Sequence, residues 1–407
     1  MAGNLLYGLL CIRLLPIGEY AKFVVVFAIQ GSLIVLMDIG ISGSLTPLVG
    51  DRIHDHHLVA DYLASLRQLS QILFACAVPM TIVAYPLLVR NRHWSWQVVA
   101  AMVVIVLIST WFARVGAAYG AVLILLRDRE HWYRAQITSS YGTLALLGMF
   151  VVFHWLNAFA AILINVAGVI WIAGEYFFYA RKLLGVSGRP SKEKRAAIIQ
   201  LTLPAVPGVM FYALQGQISV LLITIFGRTA AVASVGALSR LGQIFVLPSQ
   251  MNAILVEPYF SRLKRARLKF NYLLIVAIAV ACGGGATALA LVFPAPFLWV
   301  LGPKYSGLRT EVVLVILTGA MGLISGAMAA MNGSRRFVYY SFVLSQIILT
   351  LAVEAIFIWK VDLSTVKAVL LLSVASSAPS LVINAMVGIY GLARGGRNIA
   401  GIDASLK

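Results

Sequence analysis

Three ionisable residues lie deep inside otherwise apolar stretches: Asp38, Arg114 and Arg240. A charge near the centre of a bilayer costs at least about 2.5–3.5 kcal/mol, so each of them needs either a partner or a wet cavity. A guanidinium suits a phosphate, because its planar fork makes paired, charge-assisted hydrogen bonds. Around Arg240 the sequence supplies Gln215, Gln217, Ser219, Ser239, Gln243, Ser249, Gln250 and Asn252, a set that fits a water-filled cavity better than a lipid-facing helix. The chemistry of this set is capture of an anion: Arg240, together with Arg114, binds the negative group and Gln215, Gln217 and Gln243 line the cavity. Structural alternatives stand beside it. Asp38 and Arg114, each about twelve residues (roughly 18 Å) from the same end of its span, form a buried ion pair in one reading. Arg240 is satisfied by backbone carbonyls or by those amides in the other.

A second cluster, Asp51, His54, Asp55, His56, His57 and Asp61, has one helical i, i+4 pair in His57 and Asp61. The favoured reading is a solvated loop entering a helix, with acidic residues at the helix start. No metal and no cofactor are expected. The sequence holds no nucleophile elbow, P-loop or His-Glu-x-x-His pattern, and catalytic residues are not expected.

The elements that must position these residues are membrane spans. Of the 407 residues 61% are hydrophobic and 11% charged, with a mean hydropathy of +0.93, against about 25% charged in a soluble domain. The net charge of +18 sits mostly in short loops, as membrane topology demands, and nucleic acid is not an expected partner. Cys11, Cys76 and Cys282 fall in apolar runs without paired spacing. Hydropathy predicts about twelve transmembrane helices. They begin with a short segment 1–15, too short to span alone and read as a clipped or tucked first helix, so that eleven spans remain an alternative. Glu175, Arg134, Glu257 and Glu354 lie close enough to span ends to read as interfacial groups. Pro204 and Pro207 predict a bend at the head of the seventh span.

The basic stretch 181–195, with Arg181, Lys182, Arg189, Lys192, Lys194 and Arg195 against a single Glu193, divides the chain. The expected organisation is an N-terminal six-helix bundle 1–182, a basic linker 183–198, a C-terminal six-helix bundle 199–392 and a tail 393–407, the bundles flanking a central cavity. A second basic loop follows at 262–269. Most Lys and Arg residues fall on the side of these loops, which places both termini in the cytoplasm. Loops this short leave no room for a soluble catalytic domain.

The run Arg13-Leu-Leu-Pro-Ile-Gly-Glu19-Tyr20-Ala21 followed by Met37-Asp38-Ile39-Gly40 resembles the opening of polysaccharide flippases of the multidrug/oligosaccharidyl-lipid/polysaccharide exporter superfamily. Leu126-Arg127-Asp128-Arg129, Leu203-Pro204, Glu257-Pro258-Tyr-Phe-Ser261 and Leu301-Gly302-Pro303-Lys304-Tyr305 agree in order and spacing, while Ala21 stands where that family has Gly. The resemblance implies an all-α, twelve-helix flippase of the bacterial inner membrane. Its substrate would be a polyprenyl-pyrophosphate-linked oligosaccharide bound for O-antigen, capsule or exopolysaccharide. It implies Arg240 and Arg114 on the pyrophosphate, amides on the sugars, and Asp38 as the candidate for ion coupling. Membrane lipids and a polysaccharide polymerase with its chain-length machinery are the implied partners. The alternatives are a cation-coupled multidrug or metabolite exporter, for which two deep arginines against one aspartate are a poor cavity, and a membrane glycan polymerase, which would need a large outer loop.

Overall fold

The computed structural model describes residues 2–50, 52–92, 94–335, 337 and 340–393. Asp51 of the His/Asp cluster, Arg336 and the tail from residue 394 lie outside the described residues. The chain is a polytopic all-α membrane protein, and no strand occurs among the described residues. Among the described residues nine helices are long and apolar enough to cross a bilayer, or ten if one bent pair counts as a span.

Contacts divide the chain into two compact units, Met1–Ala233 and Ser234–Lys407. The first holds α1 (Ala2–Leu14), α2 (Ile17–Asp38), α3 (Leu45–Val49), α4 (His56–Val89), α5 (Trp96–Leu125), α6 (Arg129–Val152), α7 (Ala158–Leu184), α8 (Lys192–Thr202), α9 (Val206–Gln215) and α10 (Ile218–Phe226). The unit boundary falls within α11 (Thr229–Gly242). The second unit continues with α12 (Val246–Met251), α13 (Glu257–Ser261), α14 (Arg265–Val292), α15 (Ala295–Leu301), α16 (Arg309–Ser334), α17 (Tyr340–Lys360) and α18 (Val366–Ala393).

Helix starts in the first unit follow from capping. Asp55, Ser95, Asp128 and Asn157 each accept a hydrogen bond from the backbone N–H three residues on, at α4, α5, α6 and α7. That satisfies a donor no helix can satisfy internally. Asp128 also contacts His131 Nδ1 at 2.8 Å, and Arg127 takes a left-handed φ of 60° in the turn before it, which gives the Leu126–Arg129 motif a structural role. The core runs through Val59, Leu63 and Leu66 of α4, Tyr119, Val122 and Leu123 of α5, and Tyr176 and Ala180 of α7.

The basic linker is loop only as far as Ser191; from Lys192 it is helix α8, because Lys-Glu-Lys-Arg-Ala-Ala are strong helix formers. The loop is not free. Asp61 of α4 accepts the Arg189 N–H at 2.7 Å and pairs with Lys194, and Ser65 Oγ accepts the Ser191 N–H at 3.1 Å. Both Asp61 oxygens are thereby engaged, one by the loop and one by α8. Gly188 comes so close to α4 that a Cβ there would lie 2.0 Å from the Ala60 carbonyl.

The expected bend is present: α8 and α9 meet at 62°, across a single 3₁₀ turn, Leu203–Ala205, that contains Pro204. Pro204 supplies no backbone donor there.

In the second unit α14, α16 and α18 bury Tyr272, Met328, Met331, Ile383 and Val387 with Phe260 and Phe337. Interhelical amides and hydroxyls tie α16 to α18. Asn332 donates to the Asn384 carbonyl at 2.9 Å, and Asn384 donates to Ser325 Oγ at 3.0 Å. Glu354, read as interfacial from sequence, is 4% exposed inside this unit. Tyr305, in the turn after α15, is 3% exposed, and its hydroxyl has no hydrogen-bond partner. Burial pushes that hydroxyl up to about 12. An orphaned buried hydroxyl carries its full desolvation cost. Tyr305→Phe is therefore expected to raise thermal stability by about 1 kcal/mol, read as an upward shift of the melting midpoint in detergent; a downward shift would contradict the assignment.

Candidate functional site

Arg114 sits in the second half of α5, an unbroken helix, and is 6% exposed. Its Nη1 donates to Ser70 Oγ at 3.0 Å and to the Arg67 carbonyl at 3.3 Å, both on α4. The guanidinium carbon lies 4.1 Å from the centre of the Trp111 ring, whose edge meets Phe74 at 5.2 Å. Its Nε–H is buried without a partner. A guanidinium so placed gains dispersion and quadrupole attraction from the indole, but nothing neutralises its charge.

The ion pair with Asp38 does not form. Asp38 ends α2, where Ile39 and Gly40 turn through positive φ, and its carboxylate accepts from the Ser42 N–H at 3.0 Å and the Ser42 hydroxyl at 2.8 Å. Both oxygens are turned to the start of the next short helical segment. The carboxylate thus closes the turn between α2 and the 3₁₀ segment Ser42–Ser44.

Arg114 is the innermost of several cations on the α4–α5–α7 face. Arg67 lies 5.3 Å over the Tyr119 ring, Arg181 lies 4.9 Å over Phe177, and Tyr119 and Phe177 meet edge to face at 5.0 Å. No carboxylate lies within ion-pair distance of Arg67, Arg114 or Arg181 among the described residues. This unbalanced positive charge inside the first unit is the site's dominant electrostatic feature.

Gln215 and Gln217 stand where α9 gives way to α10, separated by Gly216. Gln217 packs on α2, close enough that a Cβ on Gly31 would meet its amide at 3.3 Å. Nearby on α2, Gln30 is 5% exposed and donates to Ser109 Oγ of α5 at 2.6 Å, leaving its own Oε1 unpaired. In the second unit Arg240 is half-buried on the last turn of α11, and Gln243 begins the 3₁₀ turn Gln243–Phe245 that interrupts the span. A π-helical stretch follows at Asn252–Val256, where Asn252 is 8% exposed with its Nδ2 unpaired. Asp38, Gln215, Gln217, Arg240 and Gln243 thus all border helix interruptions. Irregular backbone at membrane depth survives only where it is buried in protein or lines a cavity, and broken helices are the usual setting of binding groups in transporters.

The structure brings Arg114 together with Arg67, Ser70 and Trp111, which the sequence reading left out. Arg67 precedes the apolar run that starts at Leu69 and reads from the sequence alone as a loop charge. The signal that finds it is the Arg67-x-x-Ser70 spacing, which puts both on one helix face. Arg114, Asp38, Gln215 and Gln217 belong to the first unit, and Arg240 and Gln243 to the second.

A cavity of about 410 Å³ also lies in the first unit, floored by Ala113, Gly116 and Gly120 of α5 and walled by Trp132, Gln136 and Tyr176. Gln136 Nε2 donates to the Tyr176 hydroxyl at 3.0 Å across its rim.

No protein-family model and no curated protein matches the chain. Solved structures do. The lipid II flippase MurJ in an inward closed conformation is 12% identical, with 96% of this chain and 85% of that chain covered and a TM-score of 0.71. A multidrug resistance MATE family transporter of the MOP superfamily in an inward-facing conformation is 15% identical, over 97% of this chain and 94% of that one, with a TM-score of 0.69. An outward-facing conformation of such a MATE transporter gives 0.61 at 15% identity, over 98% and 94%. At these identities the likeness is one of fold: the chain has the all-helical architecture of these twelve-helix, two-lobe proteins.

Proposed function

We propose that this protein is a flippase of the bacterial inner membrane, with both termini cytoplasmic. It moves a polyprenyl-pyrophosphate-linked oligosaccharide to the outer leaflet by alternating access of two helix bundles. The observation that carries the reading is the buried, unneutralised guanidinium of Arg114, backed by Arg67 on the facing helix. A carrier of cations gains nothing from such a charge, whereas a carrier of pyrophosphate does. Arg114 in the first unit and Arg240 in the second are the groups assigned to the pyrophosphate, with Gln215, Gln217 and Gln243 offering amides to sugar hydroxyls. A polysaccharide polymerase and its chain-length machinery would act on the delivered glycan. The likeness in fold to MATE transporters favours one other reading, a cation-coupled multidrug or metabolite exporter. That reading needs a deep carboxylate: both oxygens of Asp38 are held by Ser42, which leaves it Glu354, buried in the second unit.

The test is complementation of a strain deleted for its own polysaccharide flippase, in several glycan backgrounds and at matched expression. The intact chain is expected to restore surface polysaccharide, and Arg240→Ala to reduce it at least tenfold, as loss of a charge-assisted contact implies. No rescue by the intact chain would move the assignment to the cation-coupled exporter. Asp38 is the candidate for proton coupling. Asp38→Asn keeps an oxygen acceptor for the turn and removes titration, so a coupling role predicts altered transport across a pH series; an unchanged profile leaves Asp38 with its turn alone.

A further inference from the structure

At the basic end of the first unit a separate pocket of about 70 Å³ lies between α4, α7 and the central loop. Ala60, Leu63, Ala64 and Arg67, Tyr119, and Arg181 line it together with Leu184, Val186, Ser187 and Gly188. Its size excludes a sugar or a drug, whose sites run to roughly 300–1,000 Å³, and suits a single tetrahedral anion. The charged residues on its wall are both cations, Arg67 and Arg181, each stacked on its own aromatic ring, and Ser187 adds a neutral hydroxyl. The carboxylate nearest in sequence, Asp61, is turned to Arg189 and Lys194 and neutralises neither. Stacking on Tyr119 and Phe177 fixes the two forks without consuming their donors. The pocket is thus built and charged, and among the described residues it has no counter-charge.

The geometry points to a phosphate-binding site here, which shares Arg67 with the Arg114 cluster but needs no transported substrate to be occupied. Its ligand is a phosphate monoester or free phosphate, supplied either by the headgroup of an acidic lipid of the inner leaflet or by a soluble ion. Because the central loop forms one wall, an occupied pocket ties the loop to α4 and α7 more firmly than Asp61 and Ser65 do without it.

The experiment is trypsin digestion of the purified full-length protein in a neutral detergent, following cleavage after Lys192 and Lys194 at matched ionic strength. One arm adds inorganic phosphate and the other short-chain phosphatidic acid. A probe at four times its dissociation constant is expected to slow cleavage about fivefold. Slowing by phosphatidic acid alone identifies a lipid headgroup, and slowing by inorganic phosphate identifies the soluble ion. Arg67→Gln with Arg181→Gln is expected to abolish the effect. So is Ser187→Asp, an exposed loop change that leaves the helices untouched. Arg129→Gln with Arg262→Gln, exposed cations elsewhere, is expected to leave it intact. No slowing by either probe, an undiminished effect in Ser187→Asp, or equal loss in the Arg129 and Arg262 control overturns the site.

Discussion

Arg114→Met is expected to abolish polysaccharide rescue while leaving the protein at least as stable as the wild type. The two halves of this outcome have one cause. The guanidinium is 6% exposed, stands next to another cation and lacks a carboxylate, so its burial is a net cost to folding. Its removal strands nothing, because the Ser70 hydroxyl already donates to the Arg67 carbonyl at 3.0 Å and keeps that bond. Methionine fills the space over Trp111 with a flexible apolar chain. Replacing buried ionic groups with apolar ones of similar volume is neutral or stabilising by about 1–4 kcal/mol. A melting midpoint equal to or above wild type, together with loss of rescue, is the result that assigns Arg114 to the substrate. A large drop in midpoint would make Arg114 a structural strut and take away the observation on which the flippase reading rests. Arg114→Lys separates charge from geometry: an ammonium keeps the sign but loses the fork, and is expected to recover only part of the activity.

Gly188→Ala is the second change with a large expected effect, and it acts on the central loop. A Cβ at this position overlaps the backbone of α4, 2.0 Å from the Ala60 carbonyl carbon and oxygen and 2.4 Å from the Asp61 nitrogen. Backbone cannot swing aside as a flexible side chain can, so the loop must lift. It then loses the Arg189 and Ser191 hydrogen bonds and the Asp61–Lys194 pair together. Cleavage by trypsin after Lys192 and Lys194 is expected to accelerate about tenfold, since digestion tracks the population of the open form. Digestion at the wild-type rate would mean that the loop spends its time undocked. Asp61→Ala removes only solvent-accessible contacts and is expected to have a much smaller effect.

The membrane class and the run of spans were legible in hydropathy alone, because a bilayer imposes length and apolarity on every crossing segment. So was the bend at Leu203–Ala205, since proline acts locally. The polar candidates stood out in the sequence by their depth in apolar stretches; what the sequence hid was why they stand where they do. Asp38 reads as a deep charge in a long apolar span and proves to hold the turn that ends α2. Gln215, Gln217 and Gln243 read as cavity amides, and each borders a helix interruption that no periodicity announces. Arg67 looked like a loop charge because the apolar run begins after it, whereas the helix begins eleven residues earlier at His56 and carries it onto the Arg114 face. The docking of the central loop was beyond reach for a different reason: it depends on a contact between segments more than a hundred residues apart, Asp61 with Arg189 and Lys194.

The interruptions in the helices bear on how the chain enters its membrane in the first place. A segment that leaves the ribosome broken by a turn, or bent by 62° like α8 and α9, presents unsatisfied peptide groups and partitions poorly from the translocon by itself. Such segments must be handed into lipid together with neighbours that cover their breaks. Biogenesis of the first unit would then be a cooperative act, with α9 and α10 held back until α2 and α4 are present to receive them.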